Sequence, residues 1–143
     1  MSTTPTPTDL VPCDTRRILI ADDETPVREI FKMILAHGLP DCILDTAANG
    51  VEAVESFQKF HPGVLLMDMK MPLMDGQTAF YKIREACTDK KWAVPAVIFC
   101  TGFSPSPGVL SLTTPLGEYS LIRKPVPRDV LLDAIKKHLP IAG

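Results

Sequence analysis

The chain has 143 residues, which leaves room for one domain with a sizeable core and hardly for two. Hydrophobic residues make up 45% of it and charged residues 22%, the balance of a globular protein rather than of a disordered or fibrous one. With 15 basic against 17 acidic residues the net charge is -2, and the pairs Arg16-Arg17, Lys90-Lys91 and Lys136-Lys137 are scattered, so no nucleic-acid partner is expected.

No apolar run approaches the roughly 18 to 20 residues that span a bilayer, and no basic start leads into an apolar stretch. The expectation is a cytoplasmic protein without membrane insertion. Cys13, Cys42, Cys87 and Cys100 lack the close pairing of a zinc or redox motif and read as reduced thiols, three of them packed.

Residues 1–15, rich in Thr and Pro and without periodicity, read as a disordered tail or the remnant of a linker, ahead of one domain over residues 16–140. From Arg17 onward, short apolar runs alternate with helix-like segments, the pattern of a parallel sheet covered by helices. The predicted strands are Ile18 to Ala21, Ile43 to Ala47, Val64 to Met67, Ala96 to Cys100 and Tyr119 to Ile122.

A first helix is expected from Thr25, as a side-chain cap, with Pro26 in its first turn, the stripe Val27, Ile30 and Ile34, and an end near His37-Gly38. Asn49-Gly50 could make a hairpin turn, but Val51, Val54 and Phe57 repeat at helical spacing, which favours a helix capped by Asn49. Further helices are predicted from about Gln77 to Cys87 and from about Arg128 to Leu139. Between them, Pro105, Pro107, Gly108 and Pro115 leave Ser104 to Leu116 with at most about two helical turns, a short or irregular fourth helix.

Asp22 and Asp23 directly follow ILIA, and Asp68 directly follows VLLM, so three carboxylates lie where strands hand over to loops. Ligands of a doubly wound sheet bind at the carboxyl ends of its strands. Each acid taken singly is most simply a turn residue. If the first and third strands are neighbours, however, the three converge and repel one another unless a cation sits between them, and oxygen-only ligands suit a hard ion, Mg2+ or Mn2+. Thr101 after AVIFC and Lys124 after SLI-Arg would add a hydroxyl and a positive charge at further strand ends, which together make a phosphoryl site.

His37, His61 and His138 stand apart in sequence without metal-type spacing and read as surface or helix-end residues. Met67, Met69, Met71 and Met74 read as core and loop packing rather than a soft-metal box.

With the acidic pair of ILIADDE, the stretch LLMDMKMPLMDG, the Thr of FCTG and the Lys-Pro of LIRKPV in order, the chain resembles the response-regulator receiver domain family over about Arg17 to Leu139. The resemblance implies a flavodoxin-like α/β fold: a doubly wound, five-stranded parallel sheet in the order 2-1-3-4-5 with helices on both faces. It implies Asp68 as phosphoacceptor, Asp23 and Asp68 as direct Mg2+ ligands, Asp22 acting through water, the Lys70 carbonyl as another ligand, Thr101 and Lys124 beside the phosphoryl group, and a cis Lys124-Pro125 bond. The partners implied are a histidine kinase or histidine phosphotransfer protein and a downstream protein target.

Two departures from the family stand out. Leu121 occupies the position of the usual aromatic switch residue, so switching is expected to rest on Thr101 and the Phe103 loop. The proline-rich segment after the fourth strand disfavours the usual dimer, so a monomer or weak dimer is expected. Lys70 and Phe103 are expected to overhang the phosphoryl group and slow its hydrolysis. A receiver cut from a hybrid histidine kinase is an alternative. A small aspartyl-phosphate phosphatase is a more distant one, disfavoured because Lys70 stands where a second acid would be needed. A flavin or nucleotide binder would want a glycine- or hydroxyl-rich loop where Asp22-Asp23-Glu24 stand.

Overall fold

In the computed structural model, residues 10–102 and 119–138 are described. Five strands, β1 (Asp14–Ala21), β2 (Ile43–Ala47), β3 (Pro62–Asp68), β4 (Ala96–Thr101) and β5 (Tyr119–Arg123), alternate with α1 (Thr25–Gly38), α2 (Gly50–Phe60), α3 (Gly76–Lys90) and α4 (Arg128–Lys136). The strands form one parallel sheet in the order β2-β1-β3-β4-β5, the order that the resemblance implied. The predicted irregular helix over 104–116 and the loop residue Phe103 lie outside the described residues.

The apolar runs of the central strands have no polar alternation because both faces of the sheet are covered. Leu19, Leu65, Met67, Val97 and Phe99 point to one side and pack on Ala53 and Phe57 of α2 and Phe80 and Ile83 of α3. Ile18, Ile20, Val64, Leu66 and Ile98 point to the other and pack on Phe31 and Leu35 of α1 and Leu131 and Ile135 of α4. The two-residue period of the strands thus splits one apolar sequence into two cores. All four alternating methionines belong to the first core or pack against it, as expected.

Local signals set the helix starts. The Asn49 side chain accepts from Glu52 N–H at 2.9 Å while the Glu52 carboxylate accepts from Ala48 N–H at 2.9 Å, a reciprocal cap that settles the helix over the hairpin. Asp75 caps α3 by accepting from Thr78 N–H at 2.8 Å. The start of α1 differs from the expectation: Glu24 takes the cap position without a side-chain bond, and Thr25 lies inside the first turn. Its hydroxyl instead accepts from Arg28 Nη2 at 2.9 Å.

Of the expected stripe of α1, Val27 and Ile34 pack against the core, with Phe31 and Leu35 buried beside them, while Ile30 is 52% exposed. The helix carries more apolar residues than the sheet can cover. Which of them face inward follows from how α1 docks on α4, where Gly38 lies so close to the Leu132 methyls that an added Cβ would meet one at 2.6 Å.

The expected tail is corrected at its inner end. Val11 N–H donates to the Lys91 carbonyl at 2.9 Å, Ala93 N–H donates to the Val11 carbonyl at 2.8 Å, and β1 begins at Asp14, four residues before the predicted Ile18. Composition hid this because the ordering comes from main-chain bonds to the distant α3–β4 connection, which any residue but proline can make. His61 is the helix-end residue expected of it, closing α2 with left-handed backbone at φ 47°, but at 8% exposed it lies in the interior rather than at the surface.

The start of α2 rests directly on the loop after β3, since Gly50 N–H donates to the Met74 carbonyl at 3.0 Å. A Cβ on Gly50 would sit 2.1 Å from that oxygen, so Gly50→Ala has to push backbone apart. The expected loss is about 1–3 kcal/mol, read as a lowered urea midpoint; an unchanged midpoint would show that the loop yields freely.

Candidate functional site

Register brings the sequence-predicted site together. Ala21 pairs with Met67, which sets Asp22 beside Asp68, and Asp68 pairs with Cys100, next to Thr101. Thr101 in turn pairs with Arg123, the residue before Lys124. Four strands therefore deliver Asp22, Asp68, Thr101 and Lys124 to one edge, with Asp23 next along the β1–α1 loop.

One oxygen from each of Asp22, Asp23 and Asp68 lies within 4.8 Å of the others. Lys124 Nζ donates to Asp22 Oδ2 at 2.7 Å and stands 3.4 Å from Asp68 Oδ2. The Lys124-Pro125 bond is cis, as the resemblance implied. Thr101 and Leu121 hold their strand positions, Leu121 opposite Phe99, but their side chains, like Phe103, lie outside the described residues. Lys70 is exposed, and its N–H donates to Asp68 Oδ1 at 3.4 Å.

The hollow is graded in solvent access. Asp22 is 1% exposed and Asp68 7%, whereas Asp23 is open to water. Burial, and then the charge of Asp22, push the Asp68 carboxyl up from 3.8 to about 6, against the pull of Lys124 and the Lys70 N–H. Burial alone would lower the Lys124 ammonium, but its bond to Asp22 and the nearby carboxylate charges raise it above its ordinary value. A single lysine thus only partly balances three acids.

Residues beyond the predicted set hold the hollow in shape. Glu24 N–H donates to Asp22 Oδ1 at 2.9 Å and fixes that carboxylate's rotamer. Arg28 of α1 donates from Nη1 to the Asp22 carbonyl at 2.5 Å, tying the loop to the helix. Gly76 N–H donates to the Met69 carbonyl at 3.0 Å, and a Cβ there would sit 2.2 Å from the Asp68 carbonyl oxygen, so glycine alone lets α3 start against the Asp68 backbone. The Asp-Gly pair of MPLMDG was the visible signal for Gly76; Arg28 carried none, because its role is set by contact with a main-chain oxygen.

Three carboxylates, two of them nearly dry, with the Asp68 carboxyl raised by burial and then by the charge of Asp22, form a ligand set that a hard divalent cation satisfies. Asp23, Lys70, Met71, Pro72 and Asp75 line an adjoining open cavity of about 480 Å³. Of the three acids Asp23 lines that cavity, while Lys124 stands on Asp22 and Asp68.

The model of the response regulator receiver domain matches residues 18–136. The chain is 32% identical over 123 residues to the chemotaxis protein CheY of Bacillus subtilis (strain 168), covering 86% of this chain and 97% of that protein. It is 33% identical over 135 residues to hybrid signal transduction histidine kinase B of Dictyostelium discoideum, covering 86% of this chain but 7% of the kinase. The crystal structure of a CheY-like response regulator receiver domain protein from Methanospirillum hungatei JF-1 superposes with a TM-score of 0.73 at 27% identity, over 85% of this chain and 91% of that one. The chain belongs to the response regulator receiver domain family, the signalling modules of two-component and phosphorelay systems.

The raised Asp68 acid has a consequence for stability. Its folded pKa of about 6 exceeds the ordinary 3.8, so the folded state binds the proton more tightly, and stability falls as pH rises from about 4 to about 6. The full penalty, roughly 3 kcal/mol by that difference, is present above that window. In metal-free protein Asp68→Asn is therefore expected to raise stability by on the order of 1–3 kcal/mol at about pH 7.5 and to change it little at about pH 4. Urea denaturation at both pH values checks this, and a variant less stable than the parent at the higher pH would contradict it.

Proposed function

We propose that Asp68 accepts a phosphoryl group from a phosphohistidine on a histidine kinase or histidine phosphotransfer protein, and that the phosphorylated chain signals by protein contact. The observation that carries this reading is the convergence of Asp22, Asp23, Asp68 and Lys124 at one strand edge of a receiver-family chain. Asp22, Asp23, Asp68 and the Lys70 carbonyl would hold Mg2+, with Mn2+ able to substitute. When bound, such an ion neutralises charge on the phosphoryl oxygens and on the acid cluster.

The protein's own groups do the rest. An Asp68 carboxylate oxygen attacks phosphorus in line with the leaving imidazole, and the phosphorus–nitrogen bond breaks as the phosphorus–oxygen bond forms. Lys124, held at 2.7 Å by Asp22, is oriented to draw in an equatorial oxygen. Thr101 supplies a hydroxyl donor to the product. Positioning and charge neutralisation lower the barrier, and no histidine base is needed.

On this reading the chain catalyses only its own phosphorylation and dephosphorylation. The match to a segment of a hybrid kinase favours one variant, in which the same module serves within such a kinase. Lys70 and Phe103 overhang the phosphoryl group and hinder water, and the switch relies on Thr101 and the Phe103 loop rather than on Leu121. The protein acts in the cytoplasm as a monomer or weak dimer. Among the described residues no helix is long and apolar enough to cross a membrane.

Acetyl phosphate with Mg2+ should add one phosphoryl group, read by intact mass; Asp68→Ala or chelation of the metal should abolish the gain. Phosphorylation persisting in Asp68→Ala would overturn the assignment. Lys70→Ala should shorten the phosphoryl lifetime several-fold, followed by loss of the mass adduct over time. Equal decay of variant and parent would remove Lys70 from that role.

A further inference from the structure

Asp22 is held at every polar atom it has. Its N–H donates to the Ala47 carbonyl at 3.1 Å, its Oδ1 accepts from Glu24 N–H at 2.9 Å, and its Oδ2 accepts from Lys124 Nζ at 2.7 Å. The fourth atom, the carbonyl oxygen, accepts from Arg28 Nη1 at 2.5 Å. Asp23 is different: it is exposed, and among the described residues no hydrogen bond holds its carboxylate. Yet one Asp23 oxygen lies within 4.8 Å of oxygens of both Asp22 and Asp68.

The aim of Asp23 therefore comes from its backbone. The peptide that joins Asp22 to Asp23 is planar, so the direction of the Asp22 carbonyl also fixes where the Asp23 Cα begins. That carbonyl is the atom Arg28 grips, and the grip is itself braced. Arg28 Nη2 donates to Thr25 Oγ1 at 2.9 Å, three residues back on the same face of α1. A guanidinium is a rigid planar fork; with one arm on the helix hydroxyl and the other on the loop carbonyl, it forms a strut between α1 and the Asp22–Asp23 peptide.

We propose that Thr25 and Arg28 are positioning residues for the cation site: they set the Asp22–Asp23 peptide and thereby how well Asp23 reaches the ion. Thr25 acts through Arg28, and neither side chain touches the ion or the phosphoryl group. The inference rests on the cation-binding role proposed above for the acid cluster.

The sign of the effect separates positioning from charge. A guanidinium near the acids repels a divalent cation, so if its charge alone mattered, removing it would tighten binding. If it aims Asp23, removing it loosens binding in spite of the relieved repulsion. A strut that only tied the helix to the loop would change the stability of the metal-free fold and leave cation affinity where it was.

The test follows urea unfolding by the fluorescence of Trp92, the one tryptophan of the sequence, across a series of Mg2+ concentrations. The rise of the midpoint with Mg2+ gives a dissociation constant by mass action, separately from the metal-free midpoint. Arg28→Gln is expected to raise that constant about tenfold or more, the usual scale for groups that orient a metal's ligands. Arg28→Lys keeps the charge but loses the fork, and it too should bind Mg2+ more weakly. Thr25→Val should weaken binding several-fold in the parent and add nothing beside Arg28→Gln. Labelling by acetyl phosphate, read by intact mass, should show the half-saturating Mg2+ concentration shifted in the same order. Mg2+ binding unchanged or tighter in Arg28→Gln, or a Thr25→Val effect undiminished beside it, would overturn the proposal. Should Arg28→Gln not fold, Thr25→Val decides alone, and an unchanged Mg2+ affinity there overturns it. A parent without any Mg2+-dependent stabilisation would instead overturn the cation site itself, and this inference with it.

Discussion

The repulsion among Asp22, Asp23 and Asp68, countered in part by Lys124, is the constraint on which the rest of this structure turns. A core packed for stability would not set a 1%-exposed carboxylate beside a 7%-exposed one and leave a third at the rim. The penalty is visible in the Asp68 carboxyl, raised to about 6 by burial and by its neighbour. Such a site is tolerable because two dense apolar layers on either side of the sheet supply far more stabilisation than three acids remove. The missing positive charge is what a hard divalent cation would supply.

The scaffold keeps this strain local. Asp22 and Asp68 follow central strands paired on both sides, Asp23 continues the β1–α1 loop, and Lys124 follows the edge strand β5, which pairs with β4. Arg28 and Glu24 tie the β1–α1 loop around Asp22, and Gly76 brings α3 down onto the backbone of Asp68. With its walls held by main-chain bonds, the hollow cannot relieve its charge by opening. Membership in the receiver family agrees with this division between a rigid sheet and a charged edge.

The amino-end pole shows the same sheet used differently. There the strand beginnings gather sulfur, nitrogen and a carbonyl instead of carboxylates, stacked under Trp92 and closed by the segment from Val11.

What the sequence by itself determined is whatever depends on neighbours along the chain. The apolar runs marked all five strands, Asn49 with Glu52 marked a helix start, and the acids after ILIA and VLLM marked the reactive edge because a strand's end is a local property. Strand order and the identity of the site came from motifs such as MPLMDG and LIRKPV, not from periodicity. Only the tertiary structure decided which residues of α1 are buried, that Val11 to Thr15 belong to the body, that Arg28 supports Asp22, and that His61 lies inside against Cys13 and Trp92. The Arg28 contact spans six positions but ends on a main-chain oxygen; the others depend on carbonyls or rings 30 or more positions away, and side-chain patterns along the chain carry no record of either.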